Sequence, residues 1–150
     1  MLTTLRQASE SDAAAIRDLT HEAYAKWPAI IGSTPLPMQT DYEAAVRAHR
    51  FDLLEIDGVL AALIETVKDG DELMIVNVAV KPSMQKRGFG LRLLEHAEEI
   101  AAAQGFRGTR LYTHQKMAAN IALYQSVGYT IEREEEVPAG IRVHMVKARR

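Results

Sequence analysis

The sequence of 150 residues contains no cysteine, which excludes disulfide bonds and thiolate chemistry. Lysines and arginines number 18 against 20 acidic residues, and the strongly basic composition typical of nucleic-acid-binding domains is missing. No apolar run approaches the ~20 residues that a membrane-spanning helix needs, and residues 1–6 lack the apolar core of a signal peptide. These absences predict a cytoplasmic protein that binds neither nucleic acid nor membrane.

The composition is that of an ordinary globular domain, with 47% hydrophobic and 25% charged residues. Its length fits one domain, which we place at residues 1–150. The five histidines show no metal-ligand spacing with acidic residues, so we expect no metal site.

The order of local patterns predicts a protein of the α/β (α+β) class with a mixed, mostly antiparallel sheet. Ser9 with Asp12, and Thr40 with Glu43, are typical of helix starts, and Asp57-Gly58 is a strong hairpin signal. Three prolines and a glycine predict that 27–37 is a loop. Strands are predicted at 3–8, 51–56, 59–67, 72–80, 109–113, 129–137 and 141–147, with further helices over 91–100 and 117–127.

The most informative segment is 85–90, which lies between the apolar run 73–80 and the helical pattern 91–100. A helix start presents unpaired N–H groups and partial positive charge, and glycine lets an anion approach them. The segment therefore favours a phosphate or pyrophosphate site. It lacks the third glycine of a dinucleotide-binding loop and the Gly-Lys-Ser/Thr of a P-loop, and an ordinary turn is the alternative.

A second motif, Asn120 to Tyr129, places a short helix before the Gly-Tyr pair that opens a strand. With this motif and with Val78-Ala79-Val80 before 85–90, the chain resembles the GNAT superfamily of acetyl-CoA-dependent N-acetyltransferases. The resemblance covers nearly the whole chain. It implies a twisted sheet of about six to seven strands flanked by about four helices.

The resemblance also implies that acetyl-CoA is the co-substrate. The loop amides would hold its pyrophosphate, and its pantetheine arm would lie between the strands 72–80 and 109–113. An amide at or near Val78 would polarise the thioester carbonyl. The residues expected to bind the cofactor are Val78, Ala79, Val80, Gln85, Lys86, Arg87, Gly88, Phe89, Gly90, Asn120 and Tyr124.

Tyr124 matches the tyrosine that protonates the leaving thiolate in many members of this family. A phenol with a pKa near 10 is protonated at neutral pH and can donate. The alternative is a core aromatic residue that packs beside Ile121.

The general base is less defined by the resemblance. Some relatives carry a glutamate at the position of Met74, which has no basic group. Glu72 would share the face of Met74 unless a bulge breaks the strand alternation, or it is only a turn residue. His114, whose ordinary pKa near 6.5 suits a base, ends the next strand, although it could instead bond loop backbone. A water-mediated route without a dedicated base also stays open.

The second motif departs from the family at one position. Met117 stands where asparagine is frequent, and Asn120 lies one helical turn before Tyr124. Asn120 could contact the CoA arm or orient Tyr124.

The acceptor site would be built by the first two helices, their loop and the last two strands. An acidic run at residues 132–136 is either a solvated face or an attraction for a cationic amine. Candidate pocket residues are Tyr24, Trp27, Asp41, Tyr42 and His49.

We therefore expect an N-acetyltransferase that acts directly on a primary amine, with a small molecule as the acceptor. A protein N-terminus or lysine is the close alternative. A non-catalytic acyl-CoA sensor and a nucleotide-phosphate module are further alternatives. A homodimer would suit the fold, although no sequence feature indicates one.

Overall fold

One seven-stranded sheet forms the centre of the molecule in the computed structural model, which describes residues 2–149. Its strands are β1 (Thr3–Gln7), β2 (Arg50–Ile56), β3 (Val59–Asp69), β4 (Glu72–Val80), β5 (Gly108–His114), β6 (Thr130–Val137) and β7 (Gly140–Ala148). They are arranged in the order β1-β2-β3-β4-β5-β7-β6, and every neighbouring pair is antiparallel except β4 and β5. The predicted fold class and the mostly antiparallel sheet are confirmed.

Helices cover both faces of this sheet. They are α1 (Ala13–Tyr24), α2 (Trp27–Ile31), α3 (Tyr42–Ala48), α4 (Phe89–Ala103) and α5 (Ala118–Ser126). Helices α1 and α3 enclose a core with residues of β2 and β3. Helix α4 and the apolar side of α5 pack over a larger core on the opposite face. No helix within residues 2–149 is long and apolar enough to cross a membrane.

Helix α2 corrects the prediction that 27–37 is a loop. Pro28 lies in its first turn, where a missing N–H costs no hydrogen bond. Gly32 ends the helix with φ of +80°, which glycine adopts without strain. Trp27 and Ile31 are buried against Met117, so tertiary packing stabilises a helix too short to form alone.

The start of α3 also differs by one residue from the prediction. Asp41, not Thr40, is its N-cap, and the Asp41 carboxylate accepts from the Glu43 amide at 3.0 Å. The Thr40 hydroxyl instead donates to the Leu36 carbonyl at 3.0 Å. The helix itself lies close to where the sequence predicted it.

Strands β4 and β5 diverge and open a wedge in the sheet. Within the described part of the chain they pair only at Leu73–Thr109 and Met74–Arg110, so the facing edges of both strands beyond these pairs lack a strand partner. A bulge on β4 adds to this opening. Ile75 lies opposite Thr66 and Asn77 opposite Glu65, which leaves Val76 as the extra residue.

The bulge reverses the faces of β4. Leu73 and Ile75 belong to the core under α4, whereas Ala79 belongs to the core under α1 and α3. Asn77 bonds to side chains of α1 and α3. The bulge therefore turns the polar side chain of Asn77 toward α1 and α3.

Candidate active site

A cavity of about 500 Å³ lies at the start of α4, and we call it the loop cavity. Nine of the residues expected to bind the cofactor border it: Val78, Val80, Gln85, Lys86, Gly88, Phe89, Gly90, Asn120 and Tyr124. Ala79 faces the other core, and the exposed Arg87 side chain lies against Met84 Sδ at 3.7 Å, so neither borders this cavity. The structure brings most of the predicted set together.

The backbone of the loop leaves the start of α4 without a side-chain cap. Gly88 is the N-cap residue with φ of +85°, and no side chain among residues 2–149 accepts from the first amides of the helix. Gln85 holds the loop against β4, because its Nε2 donates to the Val80 carbonyl at 3.2 Å. No acidic residue lies in the first turn, and Lys26 and Lys86 border the cavity. This environment suits an anion.

A second cavity of about 610 Å³, the central cavity, fills the wedge between β4 and β5. Its wall includes the 33–40 segment, the ends of β4 and β5, and the turn between β6 and β7. Both cavities are bordered by Tyr24, Val78, Asn120 and Tyr124. A ligand in one cavity can therefore meet a ligand in the other at these four residues.

Tyr124 lies where the two cavities meet. Burial raises the pKa of its hydroxyl to about 12. Its ring lies 5.9 Å from that of Tyr129, whose own hydroxyl is 2.7 Å from Thr109 Oγ1. The phenol is therefore neutral at physiological pH and carries a proton that it can donate.

His114 borders the central cavity with both ring nitrogens engaged. Nδ1 accepts from the Lys116 amide at 3.0 Å, which leaves the proton on Nε2 to donate to the Ala139 carbonyl at 2.8 Å. This is the backbone-bonding arrangement that the sequence left open as an alternative. A base needs a free lone pair, and neither nitrogen offers one in this arrangement.

Glu72 lies apart from Tyr124 and borders neither cavity. Its Oε1 accepts from Arg110 at 3.0 Å and from Arg107 at 3.4 Å. Arg110 also binds Glu132 at 2.7 Å, one residue of the acidic run. The cluster ties the start of β4 to β5 and β6.

Glu65 is a residue of the central cavity that sequence reasoning missed. Its carboxylate is buried, and Oε2 lies 2.6 Å from His49 Nδ1. Burial raises the pKa of Glu65, and His49 acts in the opposite direction. His49 was predicted to be a pocket residue and reaches the site through this contact.

Beside Glu65, Asn77 joins α1 to α3, where its Nδ2 donates to the Tyr42 hydroxyl at 3.5 Å. Tyr24 donates to Asn77 Oδ1 at 2.9 Å, and Asn77 Nδ2 donates to Thr20 Oγ1 at 3.3 Å. Burial raises the pKa of Tyr24 and brings that of Tyr42 to about 12, so both phenols are neutral. The inner wall of the cavity is therefore polar with one acidic group.

The other predicted pocket residues lie at different places in the structure. Trp27 borders the loop cavity, with Lys26 Nζ at 4.7 Å from its ring centre. Asp41 caps α3, and the Tyr42 hydroxyl donates to the Pro37 carbonyl at 2.6 Å. Within residues 2–149, no group of three or more acidic or histidine side chains could hold a metal ion.

Several curated proteins resemble this chain in sequence over part of their length. The [ribosomal protein bS18]-alanine N-acetyltransferase of Salmonella typhimurium is 38% identical over 76 residues, 51% of each chain. An uncharacterized N-acetyltransferase of Bacillus subtilis, YvbK, is 40% identical over 58 residues, which are 39% of this chain and 37% of that one. The chain thus spans about half the length, or less, of the curated relatives it matches.

Solved structures share the fold over nearly the full chain. The PaiA N-acetyltransferase of Thermoplasma acidophilum, in complex with coenzyme A, superimposes with a TM-score of 0.84 at 20% identity and covers 99% of both chains. The ribosomal-protein-S18-alanine N-acetyltransferase of Escherichia coli gives 0.81 at 24% identity, covering 99% of this chain and 94% of that one.

The family comparison covers both motifs. The model of the acetyltransferase (GNAT) family matches residues 14–129, a range that includes the 85–90 loop and Tyr124. That range is well over half of the chain, and the chain belongs to the GNAT acetyltransferase family.

Proposed function

We propose that the protein transfers an acetyl group from acetyl-CoA directly to a primary amine. The observation that carries the proposal is the meeting of two cavities at Tyr124, one at an uncapped helix start and the other in the wedge. A thioester held in the first would present its carbonyl to an amine held in the second. No acyl-enzyme is needed, and the chain has no cysteine to form one.

The loop cavity fits the pyrophosphate and pantetheine of CoA. Free amides at the start of α4 and two bordering lysines favour the phosphates. The edge of β4 beyond Met74 has no strand partner on the β5 side, so its backbone groups can pair with the pantetheine amides. The bound CoA of the Thermoplasma acidophilum neighbour supports this assignment.

The reacting carbonyl would lie near the bulge of β4. Val76 is the extra residue there, and both it and Val78 border the central cavity. A fixed backbone N–H in this stretch would stabilise the oxyanion as the amine attacks. Tyr124 would then donate its proton to the departing thiolate.

The acceptor class divides into two candidates. The central cavity, about 610 Å³, has the size of a small-molecule site, in agreement with the acceptor predicted from the sequence. The names of the Salmonella and Escherichia coli relatives instead favour an N-terminal alanine of a protein. Both acceptors offer the same primary amine to the same site.

Calorimetric titration with acetyl-CoA, with CoA and ATP as comparators, tests the cofactor. We expect acetyl-CoA and CoA to bind and ATP to give no heat. A panel of small amines and of peptides that begin with alanine then tests transfer by thiol release. Binding without release for every amine would indicate an acyl-CoA sensor, and absence of binding would refute the proposal.

A further inference from the structure

Glu65 is an almost fully buried carboxylate with a single bonded partner. Its side chain is 3% exposed, and Oε2 is bonded to His49. Within the described part of the chain, no group bonds to Oε1, and the residue borders the central cavity. One oxygen is therefore fixed and the other is free to meet a ligand.

The pairing of β3 with β4 sets the position of Glu65 relative to the proposed reacting centre. Glu65 lies opposite Asn77 on the neighbouring strand, and Ile64 lies opposite Val78, which borders both cavities. Adjacent strands are about 4.8 Å apart. The Glu65 carboxylate consequently lies one strand away from the edge along which the thioester is expected to run.

Within the described residues, no lysine or arginine bonds to Glu65, and His49 is its one basic partner. Facing Glu65 are His49 at the end of α3, the neutral phenols of Tyr24 and Tyr42 from α1 and α3, and the amide residue Asn77 from β4. A buried carboxylate is costly unless it is paired. An ammonium group entering the cavity would give the free Oε1 a charged hydrogen-bond donor.

We propose that Glu65 binds the ammonium group of the acceptor and takes its proton, and that His49 positions the Glu65 carboxylate for this step. Glu65 is thus a catalytic residue and His49 a positioning residue. This inference rests on the acetyl transfer proposed above.

The protons balance in the following way. The ammonium loses one proton to Glu65, which passes it to solvent, and the free amine forms the C–N bond. The C–S bond then breaks, and Tyr124 donates its proton to the thiolate. The nitrogen loses a second proton as the amide forms, and that proton restores the phenol.

The direct test replaces Glu65 by the isosteric glutamine. Glu65→Gln keeps the shape and removes a buried charge, so folding is expected to be retained. We expect kcat/KM for an alkylamine to fall by about 10²–10⁴-fold, the usual contribution of a general base. Calorimetric binding of acetyl-CoA is expected to be unchanged.

A matched control is available on the other side of the sheet. Asp52 is equally buried, pairs with Arg50 at 2.9 Å and lies 3.3 Å from His96, but it borders neither cavity. Asp52→Asn therefore tests whether loss of any buried acid near a histidine reduces turnover. We expect it to retain kcat/KM per folded molecule.

An acceptor that is already neutral separates base catalysis from a structural role. An analogue of the same amine with three fluorines on its β carbon carries a neutral amino group at pH 7. The loss of kcat/KM in Glu65→Gln should be smaller with this acceptor. With the alkylamine, the kcat/KM of Glu65→Gln should keep rising with pH. A structural defect would reduce both acceptors equally at every pH.

The positioning role of His49 is tested by the pH at which kcat/KM falls in acid. Because burial raises the pKa of Glu65 and His49 opposes this rise, His49→Ala should move the acidic fall of kcat/KM to higher pH. His49→Gln retains a hydrogen-bond donor and should move it less.

If the wild type transfers acetyl and Glu65→Gln is equally active, this inference is wrong. The proposed function, acetyl transfer, would not be affected by that result. An equal deficit with the alkylamine and its fluorinated analogue would overturn the inference as well. Absence of wild-type transfer to any amine would instead refute the proposed function.

Discussion

The hydroxyl of Tyr24 donates a hydrogen bond to Oδ1 of Asn77 over 2.9 Å. This bond joins the end of α1 to the bulged part of β4, next to the point where the two cavities meet. Asn77 is 3% exposed and Tyr24 borders both cavities. A buried hydrogen bond therefore holds the wall between the two cavities in place.

Removal of the Tyr24 hydroxyl should destabilise the protein. In Tyr24→Phe, Oδ1 of the buried Asn77 loses its donor, and the unpaired acceptor costs about 1–3 kcal/mol of unfolding free energy. Urea denaturation measures the change. Tyr112→Phe is the control, because Tyr112 is 37% exposed and its ring keeps the contact with Arg142. Indistinguishable curves for the two variants would contradict the prediction.

Tyr124→Phe should slow turnover and leave cofactor binding unchanged. The variant keeps the ring and loses only the proton that we propose Tyr124 donates to the thiolate, so kcat should fall by about 10²–10⁴-fold. Steady-state kinetics and acetyl-CoA titration separate the two effects.

Tyr129→Phe is the matched control for that variant. Tyr129 lies beside Tyr124 but borders neither cavity, and its hydroxyl meets Thr109. It should lose stability and retain kcat per folded molecule. Equal kcat for Tyr124→Phe and the wild type would exclude the phenol as the acid.

The pH dependence gives Tyr124 a second test. Because its pKa is raised to about 12, the phenol keeps its proton across the range in which the protein is assayed. The kcat profile should therefore show no loss from Tyr124 between neutral pH and about pH 10. A decline in this range that Tyr124→Phe abolishes would contradict the raised pKa.

Local signals in the sequence predicted those parts of the site that are formed by residues close together along the chain. The segment 85–90 carries its own backbone conformation in Gly88, and the Asp57-Gly58 turn sets the register of two strands. Tyr124 was found because its motif is contiguous. These features depend on few residues that lie close along the chain.

The Glu65–His49 pair depends on information that no short segment contains. The two residues are 16 positions apart and meet only after α3 ends and β2 returns beside β3. The bulge at Val76 then decides which face Asn77 takes. Helix α2 was missed for a related reason, since burial of Trp27 and Ile31 stabilises a helix where Pro28 and Gly32 indicated a loop.

The two loop glycines should respond differently to alanine. Gly88 has φ of +85°, which costs an L-residue about 1–2 kcal/mol. Gly90 is helical, and a Cβ there would make an ordinary contact of 3.7 Å with Val80 Cγ2. Gly88→Ala should therefore lower the unfolding free energy and weaken acetyl-CoA binding, and Gly90→Ala should not lower stability.

Differential scanning calorimetry with and without acetyl-CoA compares these glycine variants. The gain in Tm on ligand addition should shrink for Gly88→Ala. A full gain in Gly88→Ala would show that the left-handed residue does not shape the phosphate site.

The ion pair between Arg6 and Asp12 should make stability depend on pH in acid. Arg6 donates to both carboxylate oxygens at 2.8 and 2.9 Å and holds the pKa of Asp12 at about 2, below its ordinary 3.8. A lowered folded pKa means that the stabilisation is present above pH 3.8 and is lost as the pH falls through about 2. Since Arg6 is 43% exposed, solvent screening reduces the contribution of the pair to about 1 kcal/mol.

Asp12→Asn should therefore be less stable than the wild type at pH 7, and the difference should close between about pH 4 and pH 2. Urea denaturation at several pH values measures it. Asp18→Asn is the control, because the Arg17–Asp18 pair has side chains 55% and 71% exposed and should contribute no measurable stability. A difference for Asp12→Asn that stays constant down to pH 2 would assign the effect to the capping bond with Ser9 and not to the charge of the carboxylate.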